Sequence, residues 1–179
     1  MPEIQIHSVN HEQLESLSLF EHGYYTEHAW QMSLDIHPEA SKADFHRIRL
    51  PRRILVTYPR LREDIFHDYK EAEAFLIAEL NHQPVGYCKV QGEIESKVGR
   101  VVDLVVSAPM RRQGIASGLI VAIMELLSQR GYQTLILEMQ SKNDPAIKMA
   151  TKLGFIFCGF REHYFPNQEP ALFFSRFIR

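Results

Sequence analysis

With 179 residues, 45% of them hydrophobic, the chain can bury one substantial core, and its length predicts a single domain over residues 1–179. A formal net charge of −2 and an isoelectric point near 6.5 give no global field that would draw the protein to nucleic acid or to an anionic membrane. Cys88 and Cys158 stand in separate apolar segments without CxxC spacing, which predicts two buried, reduced thiols and a cytoplasmic setting.

Residues 1–7 lack the basic and apolar regions of a secretion signal, and residues 4–9 read as a short strand. Leu14, Leu17 and Leu19 recur at roughly helical spacing over 11–22. Residues 24–49 are mixed, with His37-Pro38 read as a helix break. Residues 52–58 are β-prone and 61–69 read as a polar helix or turn. Segments 74–80 and 85–90 are strands joined through the turn-forming Asn81-His82-Gln83-Pro84, an antiparallel hairpin, and 100–107 follows as a third strand.

Over 114–130 the period changes: Ile115, Leu119, Ala122, Ile123, Leu126 and Leu127 share one helical face, and Gly131 supplies a stop. The apolar stretch 118–127 within it is too short, and too interrupted by Glu125, to cross a bilayer. Residues 134–139 form a continuous apolar run suited to a strand covered on both faces. Asp144-Pro145 reads as an N-cap followed by proline at the first helical position, with Gly154 closing that helix. Two aromatic-rich strands, 155–164 and 171–178, finish the chain. The order implies a mixed α/β domain with one parallel crossover near its centre.

The segment 105–119 carries the most chemical information. Helix starts attract acids, because unpaired N–H groups and the macrodipole leave partial positive charge there. Here Arg111 and Arg112 stand at that end, and the helix's first acid is Glu125. A bound polyanion removes the conflict: its oxygens accept from the N–H groups of residues 113–117 while the arginines neutralise it, and the small Gly114 and Ala116 permit close approach. A nucleoside-triphosphate loop is excluded, because Gly118 is followed by Leu119 and Ile120 instead of Lys and Ser/Thr. The dinucleotide fingerprint fits weakly, with Glu138 as the only ribose acid. Arg111-Arg112-Gln113-Gly114-Ile115-Ala116 instead resembles the pyrophosphate loop of the GNAT acetyltransferase superfamily, (Q/R)-x-x-G-x-(G/A). The blocks 135–143 and 146–155 follow in that family's order and spacing, and the strand around Glu138 and the segment 169–174 also resemble the streptothricin-acetyltransferase branch.

This resemblance implies a GNAT-like acyl-CoA N-acyltransferase fold, with a mostly antiparallel sheet and a central parallel strand pair flanked by helices. It implies acetyl-CoA as cosubstrate and an amine-bearing acceptor. Leu104, Val105 and Val106 would bond the pantetheine arm through their backbone; Arg111, Arg112, Gln113, Gly114, Ile115, Ala116 and Ser117 would hold the pyrophosphate, and Asn143 would reach the pantetheine amides. An amine of reference pKa about 10.4 must lose a proton before it attacks, so a base is required. Glu138, a carboxylate in an apolar strand, leads, and Asp103, interrupting Val101-Val102-Asp103-Leu104, has a similar claim alongside a structural one. The tyrosine that many family members place as general acid is replaced here by Ala150. Tyr164 is the substitute, with aromatic packing as its competing role.

The nine histidines form no metal-binding spacing, and no metal is expected. Arg47, Arg49, Arg52, Arg53, Arg60 and Arg62 read as a solvated face. Trp30, Tyr24, Tyr25 and Glu27 lie where the family builds its acceptor site, although Trp30 by itself suits core packing. The function expected is acetylation of a primary amine of a small molecule such as an antibiotic or polyamine. Protein N-terminal or lysine acetylation, or a weakly catalytic acyl-CoA-binding module, are the alternatives. A homodimer is left open.

Overall fold

A computed structural model describes residues 3–60, 66–67 and 69–178. Strand β1 (Ile4–Ser8) is followed by a short helix α1 (Gln13–Ser18). In the turn that leads into α1, Asn10 and Gln13 bond reciprocally, each side chain accepting from the other's backbone N–H at 3.0 Å. The helix is shorter than the 11–22 expected: of the three leucines at helical spacing Leu14 and Leu17 reach the core, whereas Leu19 is 77% exposed.

The largest correction concerns residues 24–49. Instead of a broken helix, β2 (Tyr24–His37) and β3 (Ala40–Val56) form a long two-stranded antiparallel ribbon, and Pro38 lies in its turn. The reason is a period of two that the mixed composition hides: Trp30, Met32, Leu34 and Ile36 alternate with Gln31, Ser33 and Asp35. Phe45, opposite Met32, packs on Phe157 and Phe160 with centroids 4.7 and 5.5 Å apart. Of the expected helix or turn at 61–69, residues 61–65 and 68 lie outside the described residues; a single 3-10 turn occupies Tyr69–Glu71.

β4 (Ala74–Leu80) and β5 (Gln83–Glu93) form the expected hairpin. Its turn is only Asn81-His82, both with positive φ, the two-residue geometry whose twist matches that of paired strands. β6 (Val98–Val106), helix α2 (Ile115–Gln129) and β7 (Thr134–Gln140) make the crossover, and β6 and β7 are the parallel pair. Helix α3 (Asp144–Lys152) then leads into β8 (Ile156–Arg161) and β9 (Ala171–Phe177). The seven-stranded sheet runs β1-β4-β5-β6-β7-β9-β8. Asp144 is not the cap of α3: Asn143 is, its side chain accepting from the Ala146 N–H at 3.3 Å.

α2 buries Leu119, Ile120, Ile123 and Leu127 against one face of the sheet, where they meet Leu76, Val90, Val101, Leu135 and Leu137. The fit is tight at Gly99, where an added Cβ would lie 2.5 Å from Leu127 Cδ1. On the opposite face a smaller core gathers Leu17, Phe75, Ile77, Tyr87 and Val105. Cys88 is buried in the first core as expected, but Cys158 is exposed, because β8 is an edge strand. Among the described residues no helix is long and apolar enough to cross a membrane.

Candidate active site

The parallel strands β6 and β7 pair only from Val98–Val101 to Thr134–Leu137. Farther along, Asp103–Val106 pair with β5 alone and Glu138–Gln140 with β9 alone, so the sheet opens into a wedge. A β-bulge aims side chains at it. Lys89 opposes Asp103 while Val90 opposes Val101, which leaves Val102 as the extra residue on β6. Gly99 and Val101 therefore face α2, whereas Asp103 and Val105 face away from it. Arg100 and Asp103, three residues apart, thereby share the face that Glu138 occupies on β7.

Glu138 lies at the start of the opening with its side chain 8% exposed. Tyr164, in the β8–β9 connection, donates its hydroxyl to Glu138 Oε2 at 2.8 Å, and Arg100 Nη1 stands 3.3 Å from Oε1. Oε1 is buried, and among the described residues nothing meets it with full hydrogen-bond geometry. Burial pushes the Glu138 carboxyl above its ordinary range, against the opposing pull of Tyr164, Arg100 and Arg60. The Tyr164 hydroxyl is also raised, by burial first and then by Glu138, so at neutral pH it remains a proton donor.

Asp103 is almost fully buried and both its oxygens are engaged: Tyr58 donates to Oδ1 and Arg60 Nη1 to Oδ2, each at 2.6 Å. Its carboxyl is raised by burial, with Arg60, Tyr58 and Lys89 working the other way. At the last residue of β7, Gln140 accepts from the Tyr24 hydroxyl and donates to Glu169 Oε2 and to the Thr57 carbonyl. Lys142 also pairs with Glu169. One buried amide thus stitches the β2–β3 ribbon to the β8–β9 connection across the mouth of the wedge.

At the other end, α2 begins at Gly114, whose φ of +86° is left-handed and whose missing Cβ leaves nothing within 4 Å. The first turn contains no acid and no side-chain cap, so its N–H groups point outward beside Arg112 and Gln113, both exposed. This entrance and the wedge fit a diphosphate-bearing thioester, with outward-facing helix N–H groups at one end and splayed strand backbone at the other. Arg111 is placed differently from its neighbours: its Nε donates to the Val106 carbonyl and its Nη2 to that of Glu21, tying the loop to β6. Ala150 is buried in the core and carries no proton to give.

Of the residues expected from sequence, Glu138 and Tyr164 are in direct contact, Asp103 lies on the same face, and 104–106 and 111–117 line the wedge and the helix entrance. Trp30 is half-buried, with its Nε1 donating to Asp144 Oδ1 at 3.3 Å. Arg47 and Arg60 are not simply a solvated face; they pair with Asp144 and Asp103. Sequence reading missed Arg100, Tyr58, Gln140 and Glu169. The signal for Arg100 was a second charge in an apolar strand, but placing it beside Glu138 requires the bulge. Among the described residues no group of three or more His, Cys, Asp or Glu is arranged to hold a metal.

Residues 35–155 match the family model described as the acetyltransferase (GNAT) family. An N-alpha-acetyltransferase of Sulfurisphaera tokodaii is 33% identical over 116 residues, covering 57% of this chain and 68% of that relative. A nourseothricin acetyltransferase shares the fold with a TM-score of 0.82 at 17% identity, covering 98% of this chain and 99% of that one. A streptothricin acetyltransferase of Bacillus anthracis str. Ames, solved with acetyl coenzyme A, gives 0.79 at 17% identity, covering 99% and 98%. The wedge, the acid-free helix entrance and a family match spanning the crossover lead to one assignment: the chain belongs to the GNAT family and is an acetyl-CoA-dependent N-acetyltransferase.

Proposed function

We propose that the enzyme acetylates a primary amine of a small molecule, an antibiotic or a polyamine, by direct attack within a ternary complex, with residues 1–179 acting as one catalytic domain. Acetyl-CoA supplies the activated acyl group. The backbone of Leu104, Val105 and Val106 holds the pantetheine arm, and the entrance from Arg111 to Ser117 holds the diphosphate. Within that entrance Arg111 acts by fixing the loop, while Arg112, Gln113 and the N–H groups of Gly114, Ile115, Ala116 and Ser117 meet the phosphates. Asn143 caps α3 and turns the rest of its amide toward the arm. Glu138 takes the acceptor's proton, Tyr164 fixes Glu138 and returns a proton to the departing sulfur, and Asp103 acts as an anchor, since both its oxygens are occupied.

The observation that carries this reading is the buried Oε1 of Glu138, which among the described residues meets only a long ion pair with Arg100, beside the splayed strands. A base needs an open lone pair and a proton affinity raised toward the working pH, and burial supplies the second. The Gln140 stitch supports a compact acceptor, because it joins the two walls that a long chain would have to part. The Sulfurisphaera relative favours a second reading, acetylation of protein N-termini. Thiol release from acetyl-CoA, measured with streptothricin F, spermidine and peptides bearing free N-termini, separates the two. The proposal expects kcat/KM at least about tenfold higher for a small amine; preference for a peptide by the same margin would establish the second reading.

A further inference from the structure

Arg100 has no role in the chemistry described so far, yet among the described residues it is the cation that pairs with the proposed base. Its guanidinium spans two carboxylates. Nη2 donates to Glu93 Oε1 at 2.8 Å on the outer side, and Nη1 stands 3.3 Å from Glu138 Oε1 on the inner side. The inner contact is a long ion pair that falls short of full hydrogen-bond geometry while still favouring the carboxylate, so Oε1 is held more loosely than Oε2, which Tyr164 binds at 2.8 Å. Glu93 is itself steadied by the Ser96 hydroxyl at 3.0 Å, which holds the outer end of the bridge. A buried carboxylate without a counter-charge tends to keep its proton and cannot act as a base; one that accepts a full hydrogen bond from a cation has no lone pair to offer.

We propose that Arg100 is a positioning residue for Glu138: it stands beside Oε1 as a counter-charge without capturing that oxygen, so that the carboxylate stays ionised and one oxygen remains open to the acceptor amine. This rests on Glu138 being the base. The groups that act on Glu138 among the described residues are Arg100 from β6, Tyr164 from the β8–β9 connection and Arg60 from the segment after β3, and on the same face Asp103 of β6 is balanced by Arg60 and by the buried Lys89 of β5. Arg60 already binds Asp103, and Tyr164 binds the other oxygen of Glu138, which leaves Arg100 as the cation placed at Oε1.

The test is a titration of glutamate side-chain carboxyls by 13C NMR on the full chain, with the Glu138 signal assigned by its loss in Glu138→Gln. A neutral replacement removes a charge that favours the carboxylate, so Glu138 must hold its proton to higher pH. The midpoint is expected to rise by about one unit in Arg100→Gln and in Arg100→Met, two neutral side chains of different polarity either of which suffices if it folds, and to stay near the wild-type value in Arg100→Lys. An unmoved midpoint in a folded neutral variant, or an equal rise in Arg100→Lys, would overturn the proposal. Acetyl transfer by Glu138→Gln to streptothricin F or spermidine separates the two claims. An unmoved midpoint beside an inactive Glu138→Gln removes only the role of Arg100, whereas a fully active Glu138→Gln removes the base and this proposal together.

Discussion

The Tyr164 hydroxyl donates to Glu138 Oε2 at 2.8 Å, and that bond decides which carboxylate oxygen is committed and which is open. Tyr164→Phe removes a donor that favours the ionised form, so Glu138 protonates at higher pH. The acidic limb of the kcat/KM profile is expected to move upward by up to about one unit. Loss of the phenol as proton donor should also slow turnover on the plateau by about 10- to 100-fold. A pH–rate profile for wild type and variant checks both effects.

Asp103 joins Tyr58 and Arg60 in a buried cluster behind the wedge. Tyr58→Phe removes one hydrogen bond and should cost about 1 kcal/mol. Asp103→Asn takes away a carboxylate that Arg60 binds and is expected to cost more, about 2 kcal/mol. Equilibrium unfolding in urea measures both, and a larger loss for Tyr58→Phe than for Asp103→Asn would contradict the anchoring role.

Asp144 ties α3 to the ribbon through Arg47 and to its own helix through Lys148. Burial alone would raise its carboxyl, but hydrogen bonds and charge from Arg47 and Lys148 prevail and hold it at about 2. An acid depressed on folding contributes stability above its unfolded value and loses it as pH falls through its folded one. The wild type should therefore lose about 1–2 kcal/mol from this group between pH 4 and pH 2. Asp144→Asn, measured by thermal unfolding across that window, should differ from wild type by this amount at neutral pH and converge with it near pH 2.

Gly114 begins α2 with a φ that L-residues disfavour, in open space. Gly114→Ala should cost about 1–2 kcal/mol from backbone strain alone, with no steric contribution. If the backbone relaxes instead, the N–H groups of 115–117 turn and coenzyme A affinity falls by about tenfold. Differential scanning calorimetry and isothermal titration with coenzyme A show which response dominates; a variant unchanged in both would remove the entrance from the binding site.

The C-terminal half of the fold was legible because its signals are local. An amphipathic run with a glycine stop defines α2, and an apolar run between two helices defines β7. Gly154 closes α3 with a positive φ, as its place after Leu153 suggested. The ribbon at 24–56 was not, since its apolar face is interrupted by charges and is covered by β8 residues more than a hundred positions away. The site shows the same division. Glu138 stood out as an acid in an apolar strand, whereas Arg100 beside it depends on the bulge at Val102, and Gln140 gains meaning only when Tyr24 and Glu169 arrive from distant segments. Family resemblance makes Asn143 a ligand-binding turn residue; its capping bond to Ala146 is equally local, but it competes with Asp144 one position away, which sequence alone does not resolve.

The central claim is that Glu138 is the base acting on an acceptor beside bound acetyl-CoA. Paired measurements on Glu138→Gln test it most directly: calorimetric titration with coenzyme A, and single-turnover transfer from radiolabelled acetyl-CoA to the preferred amine. Coenzyme A binding unchanged within about twofold, together with transfer slowed by about 100-fold or more, is the expected result. Transfer at the wild-type rate, or a loss wholly explained by weaker coenzyme A binding, would contradict it.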